Sequence, residues 1–131
     1  MIPEPFEHGK HLEMVNRWAV SRGLKAVPVE LLPRTGRVVP ELAAVFLYKT
    51  DSRVGFIEHA ITNPDAEVRE ASNALDDCIA AIESDARWLG MSVLCGVSRI
   101  PGMAERVRRA GFNVSAERFR MMTKGVGKWA L

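Results

Sequence analysis

Two titratable side chains stand next to each other in a segment that has the composition of a β-strand. Glu58 and His59 lie within residues 53–62, a largely apolar run of strand length. A histidine titrates near neutral pH and a carboxylate can accept a proton, so both residue types can perform acid–base chemistry. Because successive strand side chains alternate between faces, we expect Glu58 and His59 to face opposite ways. The alternative interpretation places Glu58 in a cross-strand pair and makes His59 a structural residue.

Alternating helical and strand-like periodicities predict the elements that position these residues. Apolar residues recur at spacings of three and four from Val68 to Leu89, which predicts a long amphipathic helix that ends at Gly90. The segments predicted in chain order are a helix at 8–22, strands at 27–32, 42–49 and 53–62, the long helix, a strand at 92–97, a helix at 101–110, and strands at 112–116 and 118–124. A helical crossover precedes the strand at 92–97, which predicts parallel pairing there.

This order predicts a three-layer α/β/α domain with a mixed, mostly antiparallel sheet. The chain has 131 residues, a length that suits one domain. We assign that domain to residues 1–124 and expect residues 125–131 to form a loose C-terminal tail.

The order of elements resembles the GNAT (GCN5-related N-acetyltransferase) fold over roughly residues 8–124. The hairpin leads into the long helix as in that family, and R-E-A-S-N-A at 69–74 is similar to a degenerate form of its R/Q-x-x-G-x-G/A loop. A-R-W-L-G at 86–90 resembles the family's A-x-x-x-G helix end, and the G-F that closes 103–112 resembles its Y-x-x-x-G-F motif.

The resemblance implies that acetyl coenzyme A binds at the start of the long helix. Backbone N–H groups there lack intrahelical partners and can donate to a pyrophosphate, which the helix dipole also favours. Ser72 and Ala74 replace the family's loop glycines, while Glu67 and Glu70 add negative charge that could instead complement the dipole without any ligand. The cofactor-binding residues that the resemblance implies are Ile61, Thr62, Arg69, Glu70, Ala71, Ser72, Asn73, Ala74 and Ser98.

The chemistry implied by the resemblance is the attack of an amine on the thioester of acetyl coenzyme A. Some family members use a glutamate of the strand before the loop as the base, and Glu58 is at a comparable distance from Arg69. Val107 stands where the family often has a tyrosine acid, and Tyr48, the only tyrosine, is interpreted as a packing residue. The acceptor, a small-molecule or peptide amine, is not readable from the sequence.

Composition excludes several other classes. The net charge of +2 favours neither nucleic acid nor membranes, although the C-terminal third is basic. His8 and His11 are one helical turn apart but lack a third ligand in reach, so we predict no metal site. Cys78 and Cys95 lie in apolar runs and are interpreted as reduced core thiols. Without a signal peptide or an apolar span, the expected location is the cytoplasm.

Three hypotheses follow for the function. The first is an acetyl-CoA-dependent N-acyltransferase with Glu58 as its base. The second is a GNAT-like binding or structural module with weak or no catalysis, which the replaced loop glycines and the missing tyrosine favour. The third is a nucleic-acid binder that uses the basic residues of 103–110, although no aromatic residues interleave with them. The apolar run 42–49 is compatible with a monomer or with a homodimer.

Overall fold

The computed structural model describes residues 1–98, 100, 102–117 and 119–127. These residues form a five-stranded sheet with helices on both faces. The strands are β1 (Glu4–Pro5), β2 (Gly36–Val39), β3 (Ala43–Lys49), β4 (Val54–Thr62) and β5 (Val93–Cys95). The helices are α1 (His8–Ser21), α2 (Val68–Trp88) and α3 (Met103–Arg109), and Val29–Leu31 forms a 3-10 turn.

The strands lie side by side in the order in which they occur along the chain. Neighbours pair in antiparallel fashion from β1 to β4, whereas β4 and β5 are parallel because α2 connects them as a crossover. The predicted hairpin, the predicted long helix and the predicted parallel pairing are therefore confirmed, and so is the predicted α/β architecture with a mixed sheet.

Each face of the sheet carries one hydrophobic core. The apolar stripe of α2 packs on one face against β3 side chains such as Val45 and Leu47. On the other face, Met14, Val15 and Trp18 of α1 pack around Phe46. The alternation of β3 explains this division, since odd-numbered residues from Ala43 to Leu47 face α2 while Ala44 and Phe46 face α1.

Strand β4 contains a β-bulge at His59. Ala44 pairs with Ile61 and Phe46 pairs with Glu58, so one residue of β3 lies opposite two residues of β4, His59 and Ala60. His59 has a φ of 55°, in the left-handed region that non-glycine residues seldom adopt. The bulge interrupts the alternation of β4 at the position of the two titratable residues.

Three strand predictions were wrong. Residues 27–32 form no strand but contain the 3-10 turn, since Pro28 and Pro33 supply no N–H for a ladder. In addition, residues 36–39, for which no strand was predicted, form β2 between β1 and β3. The described residues of 112–116 and 118–124 contain no strand, and β5 offers only three residues as a neighbour.

The remaining C-terminal predictions are tested only in part. Helix α3 begins two residues later than predicted, and residues 101 and 118 lie outside the described part of the chain, as do 128–131 of the predicted tail. No helix among the described residues has the length and apolar character that a membrane crossing requires.

Candidate functional site

An opening between β4 and β5 defines the candidate site. The two strands pair only from Val54 opposite Val93 to Phe56 opposite Cys95. Beyond Phe56, β4 continues to Thr62 paired with β3 but not with β5. Gly96 lies close against β4 at the point where pairing stops. A Cβ added at this glycine would be only 2.9 Å from the carbonyl oxygen of Ile57. Beyond this contact the edge of β4 has no strand neighbour on the β5 side among the described residues.

Glu58 lies at this opening. Its side chain is half-buried, and the backbone N–H of Val97 donates a hydrogen bond to its carboxylate. Burial raises the pKa of Glu58 above its usual value, and the hydrogen bond from Val97 opposes this shift. A carboxylate with a raised pKa holds a proton more readily than an exposed glutamate does, which suits a group that accepts a proton near neutral pH.

His59 lies on the same face of the sheet as Glu58, contrary to the prediction that the two face opposite ways. Glu58 is paired with Phe46, which faces α1, and the His59 ring meets Phe46 edge-on with ring centroids 6.4 Å apart. His59 Nε2 is 2.8 Å from the hydroxyl of Tyr48, two residues along β3 on that face. The extra residue of the bulge is the physical reason, since it resets the alternation of β4.

Tyr48 therefore belongs to the site, although the sequence favoured a packing role. Its hydroxyl also donates to the carbonyl oxygen of Leu31 at 3.0 Å, and its ring is 5.7 Å from that of His59. Burial and the nearby Glu58 carboxylate raise the pKa of Tyr48, while desolvation lowers the pKa of His59. Desolvation thus favours the neutral form of His59. We call Tyr48, Glu58 and His59 the β3–β4 triad.

The end of β4 is fixed to the end of α1. The Arg22 guanidinium donates to both the carbonyl oxygen and the hydroxyl of Thr62, at 3.0 and 2.8 Å from Nη2. Ile61, the other residue predicted at this end of the strand, packs against the α1-side core. These contacts set where β4 ends and the turn into α2 begins.

The N-terminus of α2 already holds an anionic group from its own chain. The carboxylate of Glu67 accepts hydrogen bonds from the backbone N–H groups of Arg69 at 3.1 Å and Glu70 at 2.8 Å. These N–H groups are the ones that a helix leaves without intrahelical partners and that could otherwise donate to a phosphate. All three side chains are exposed, so Glu67 has room to turn away.

The other predicted cofactor residues lie deeper in α2 or on the far side of the opening. The side chains of Ala71 and Ala74 are buried, and the Ala71 N–H bonds to the carbonyl oxygen of Glu67. Ser72 accepts a hydrogen bond from Arg106 at 2.8 Å, and Asn73 is exposed. Ser98, beyond β5, accepts a hydrogen bond from the N–H of Ile100. Their role in binding a cofactor stays a prediction.

Arg106 was not singled out as a site residue by the sequence, yet it anchors α3 to α2. Its guanidinium donates to the Ser72 carbonyl oxygen at 2.9 Å and to Asp76 at 2.5 Å. Only the basic character of 103–110 signalled this residue. His11, in contrast, is buried and bonded to Glu4 at 2.9 Å and to the N–H of Glu7, and the described residues contain no group of side chains suited to a metal ion.

The site has room for the thioester of acetyl coenzyme A beside Glu58, but the donors for its pyrophosphate at the start of α2 are already bonded. The opening beyond Gly96 exposes the bulged edge of β4 beside Glu58, where a thioester could lie against backbone donors. The N–H groups of Arg69 and Glu70 already bind a carboxylate, so they can bind a phosphate oxygen once Glu67 leaves them. The chain therefore fits this substrate on the condition that the Glu67 side chain moves.

Solved structures of acetyltransferases have the same fold as this chain. An acetyltransferase from Trypanosoma brucei superposes with a TM-score of 0.61 at 14% identity, over 92% of this chain and 98% of its own. A structure described as a probable acetyltransferase superposes with a TM-score of 0.64 at 12% identity, over 97% of each chain. No protein-family model matches the chain, and no curated protein matches it. The chain thus has the GNAT-like fold in a divergent sequence.

Proposed function

We propose that this protein is an N-acyltransferase that transfers an acetyl group from acetyl coenzyme A to an amine. The observation that carries the proposal is the opening between β4 and β5, where a bulged strand edge and the half-buried Glu58 lie side by side. The acetyltransferase structures that share the fold over nearly the whole chain support the same reaction class.

The reaction we propose is direct attack of the amine nitrogen on the thioester carbonyl carbon. A C–N bond forms, the C–S bond breaks, and the nitrogen gives a proton to Glu58 as the amide develops. Beyond Phe56 the β5-side edge of β4 has no strand neighbour among the described residues, so its backbone N–H groups can donate to the carbonyl oxygen as negative charge grows on it. The leaving thiolate takes a proton from water, since a thiolate is tolerable near neutral pH.

The binding residues we propose run from the end of β4 into α2. The backbone at Ile61 and Thr62 borders the pantetheine arm, and the N–H groups of Arg69 and Glu70 hold the pyrophosphate after Glu67 swings out. Ala71, Ser72, Asn73 and Ala74 support this turn from within the helix, and Ser98 borders the opening from the β5 side.

A thermal-shift titration with acetyl coenzyme A tests the proposal. A ligand that binds only the native state raises the melting temperature, by an amount equivalent to about 2.7 kcal/mol at 100 times its dissociation constant. We expect a rise in melting temperature with acetyl coenzyme A and a smaller rise with pantetheine, which lacks the pyrophosphate. No rise at millimolar acetyl coenzyme A would refute the proposal.

A substitution at Glu58 then separates binding from catalysis. Glu58→Gln keeps the shape and the acceptor for the Val97 N–H, so binding of acetyl coenzyme A should persist. Acetyl transfer should fall by about 10²- to 10⁴-fold, the usual contribution of a general base. The matched control is Glu83→Gln on α2, a partly exposed glutamate whose carboxylate forms an ion pair with Arg87. Unchanged turnover in Glu58→Gln would remove Glu58 from the mechanism.

A second candidate function is a GNAT-like module that binds a partner without catalysis. The occupation of the α2 N-terminus by Glu67 favours it, because the donors that would bind a pyrophosphate are already bonded. This candidate predicts no thermal shift with acetyl coenzyme A in the wild-type protein and none in Glu67→Ala. The same titration therefore decides between the two functions.

A further inference from the structure

The hydrogen bonds of Tyr48 fix which nitrogen of His59 carries a proton. A tyrosine hydroxyl has one proton to donate, and a carbonyl oxygen can only accept. Tyr48 bonds to the carbonyl oxygen of Leu31 at 3.0 Å and to His59 Nε2 at 2.8 Å, so both bonds form together only when Tyr48 donates to Leu31 and Nε2–H donates to Tyr48. The neutral His59 ring then carries its lone pair on Nδ1.

His59 Nδ1 is available to a ligand. His59 is exposed as a residue although its ring lies against Phe46 and Tyr48, and within the described residues its side-chain hydrogen bonds run only through Nε2. The left-handed backbone at the bulge holds the ring on the α1-side face, where its edge meets Phe46. A non-glycine residue is strained in this conformation, and the surrounding packing offsets the strain.

The charge balance of acyl transfer to an amine calls for two proton acceptors. An amine is an ammonium ion at neutral pH, and it loses one proton before attack and a second as the amide forms. One of these protons ends on the thiol of coenzyme A and the other in solvent. Glu58 provides one acceptor, and its carboxylate lies near enough to Tyr48 to raise that residue's pKa.

We propose that His59 is a proton acceptor of this site in addition to Glu58. The amine arrives as an ammonium ion, and its first proton passes to Nδ1 of His59. Tyr48 is the positioning residue that keeps Nδ1 unprotonated. This inference rests on the proposed function. His59 releases the proton to solvent, while Glu58 takes the second proton after the C–N bond has formed. The acceptor class is accordingly an amine that is charged at neutral pH. The exposed ring of Phe56, which is paired with Tyr48, lies on the same face of the sheet.

The tautomer can be measured without any substrate. In ¹⁵N-labelled protein the chemical shifts of the imidazole nitrogens distinguish Nε2–H from Nδ1–H, and the chain has only three histidines. We expect His59 to be an Nε2–H tautomer at pH 7, and we expect Tyr48→Phe to lower the fraction of that tautomer. An Nδ1–H tautomer in the wild-type protein would overturn the proposal.

The pH dependence of acetylation separates catalysis from a structural role. We would use acetyl coenzyme A with two probe amines, ethylamine and a short peptide with a free α-amino group and no lysine. His59→Gln should reduce kcat/KM by about 10²-fold at pH 7. The loss should shrink as the pH rises past the pKa of the amine, which is about 8 for the peptide and above about 10 for the alkyl amine. The reason is that an uncharged amine has already lost its first proton.

Control variants make the outcomes distinguishable. His8→Gln changes a half-buried histidine of α1 whose ring bonds the carbonyl oxygen of Pro33, and it should leave the rates unchanged. Tyr48→Phe should lower the rate and move its pH profile together with the His59 tautomer. A loss in His59→Gln that is the same at every pH, or no loss, would overturn the proposal, as would binding of acetyl coenzyme A without acetylation of either probe. A wild-type protein that fails to bind acetyl coenzyme A refutes the proposed function itself.

Discussion

Replacing Glu67 with alanine should change two measurable quantities in opposite directions. The Glu67 carboxylate bonds the N–H groups of Arg69 and Glu70 at the start of α2, so its loss removes the cap of the longest helix. Loss of an N-cap side chain costs about 1 kcal/mol. In a domain of 131 residues this corresponds to a decrease in melting temperature of about 3–5 °C.

The same substitution should strengthen the binding of acetyl coenzyme A. The pyrophosphate no longer has to displace a carboxylate, which recovers the cap energy of about 1 kcal/mol, or about fivefold in affinity. Removing the negative charge of Glu67 from the neighbourhood of the phosphates contributes up to about another 1 kcal/mol in water. We therefore expect the dissociation constant to fall by about 5- to 25-fold, measured by isothermal titration calorimetry at fixed salt.

Glu70→Ala is the matched control for this prediction. It removes a charge from the same turn but leaves both hydrogen bonds of Glu67 in place, because Glu70 contributes only its backbone N–H. Its melting temperature should change little, and its affinity should rise by no more than about fivefold. A lower melting temperature in Glu67→Ala with unchanged or weaker binding would show that the pyrophosphate does not use these N–H groups.

Three further predictions concern the packing and ionisation of the fold. Gly36→Ala places a Cβ 2.7 Å from a ring carbon of Phe46 and should lower the urea unfolding free energy by about 1–3 kcal/mol, whereas Gly9→Ala on exposed helix should not lower it. Burial raises the pKa of Glu58, so ionisation of this carboxyl disfavours the folded state as pH rises. The melting temperature of Glu58→Gln should therefore increase relative to that of the wild type between pH 4 and pH 7. A difference in melting temperature that is constant over this range would contradict the prediction. Burial raises the pKa of the Cys78 thiol to about 12, so iodoacetamide at pH 8 should leave Cys78 unmodified in the folded protein while the half-buried Cys95 reacts. Equal labelling of the two cysteines would refute the burial of Cys78.

The elements with the longest periodic patterns were predictable from the sequence. The apolar stripe of the long helix places its buried residues on one face whatever the rest of the chain does, and α2 is found at Val68–Trp88. The runs 42–49 and 53–62 are joined by a short polar turn, and they form the hairpin of β3 and β4. Both features depend on contacts between residues that are close in sequence.

The shortest strands were not predictable in this way. Strand β1 has two residues and β2 has four, too few for a periodic signal. Strand β2 forms because β3 offers an edge for pairing, and β1 pairs in turn with β2. Conversely, residues 112–116 have a strand-like composition but find no partner in the described part of the chain. Strand formation depends on a neighbour that may be distant in sequence, and a local pattern does not reveal that neighbour.

The candidate site also combines features that the sequence determined with features that only the tertiary structure decided. The sequence determined the residue types, Glu58 and His59 side by side on a strand before a long helix, and the resemblance to GNAT proteins that gave Glu58 a role. Only the tertiary structure decided that a bulge turns His59 to the face of Glu58, that Tyr48 of the neighbouring strand bonds it, and that Glu67 holds the N-terminus of α2. The physical reason is that register, bulges and caps are set by which backbone groups find partners in three dimensions, whereas periodicity along the chain records only which side of an element is apolar.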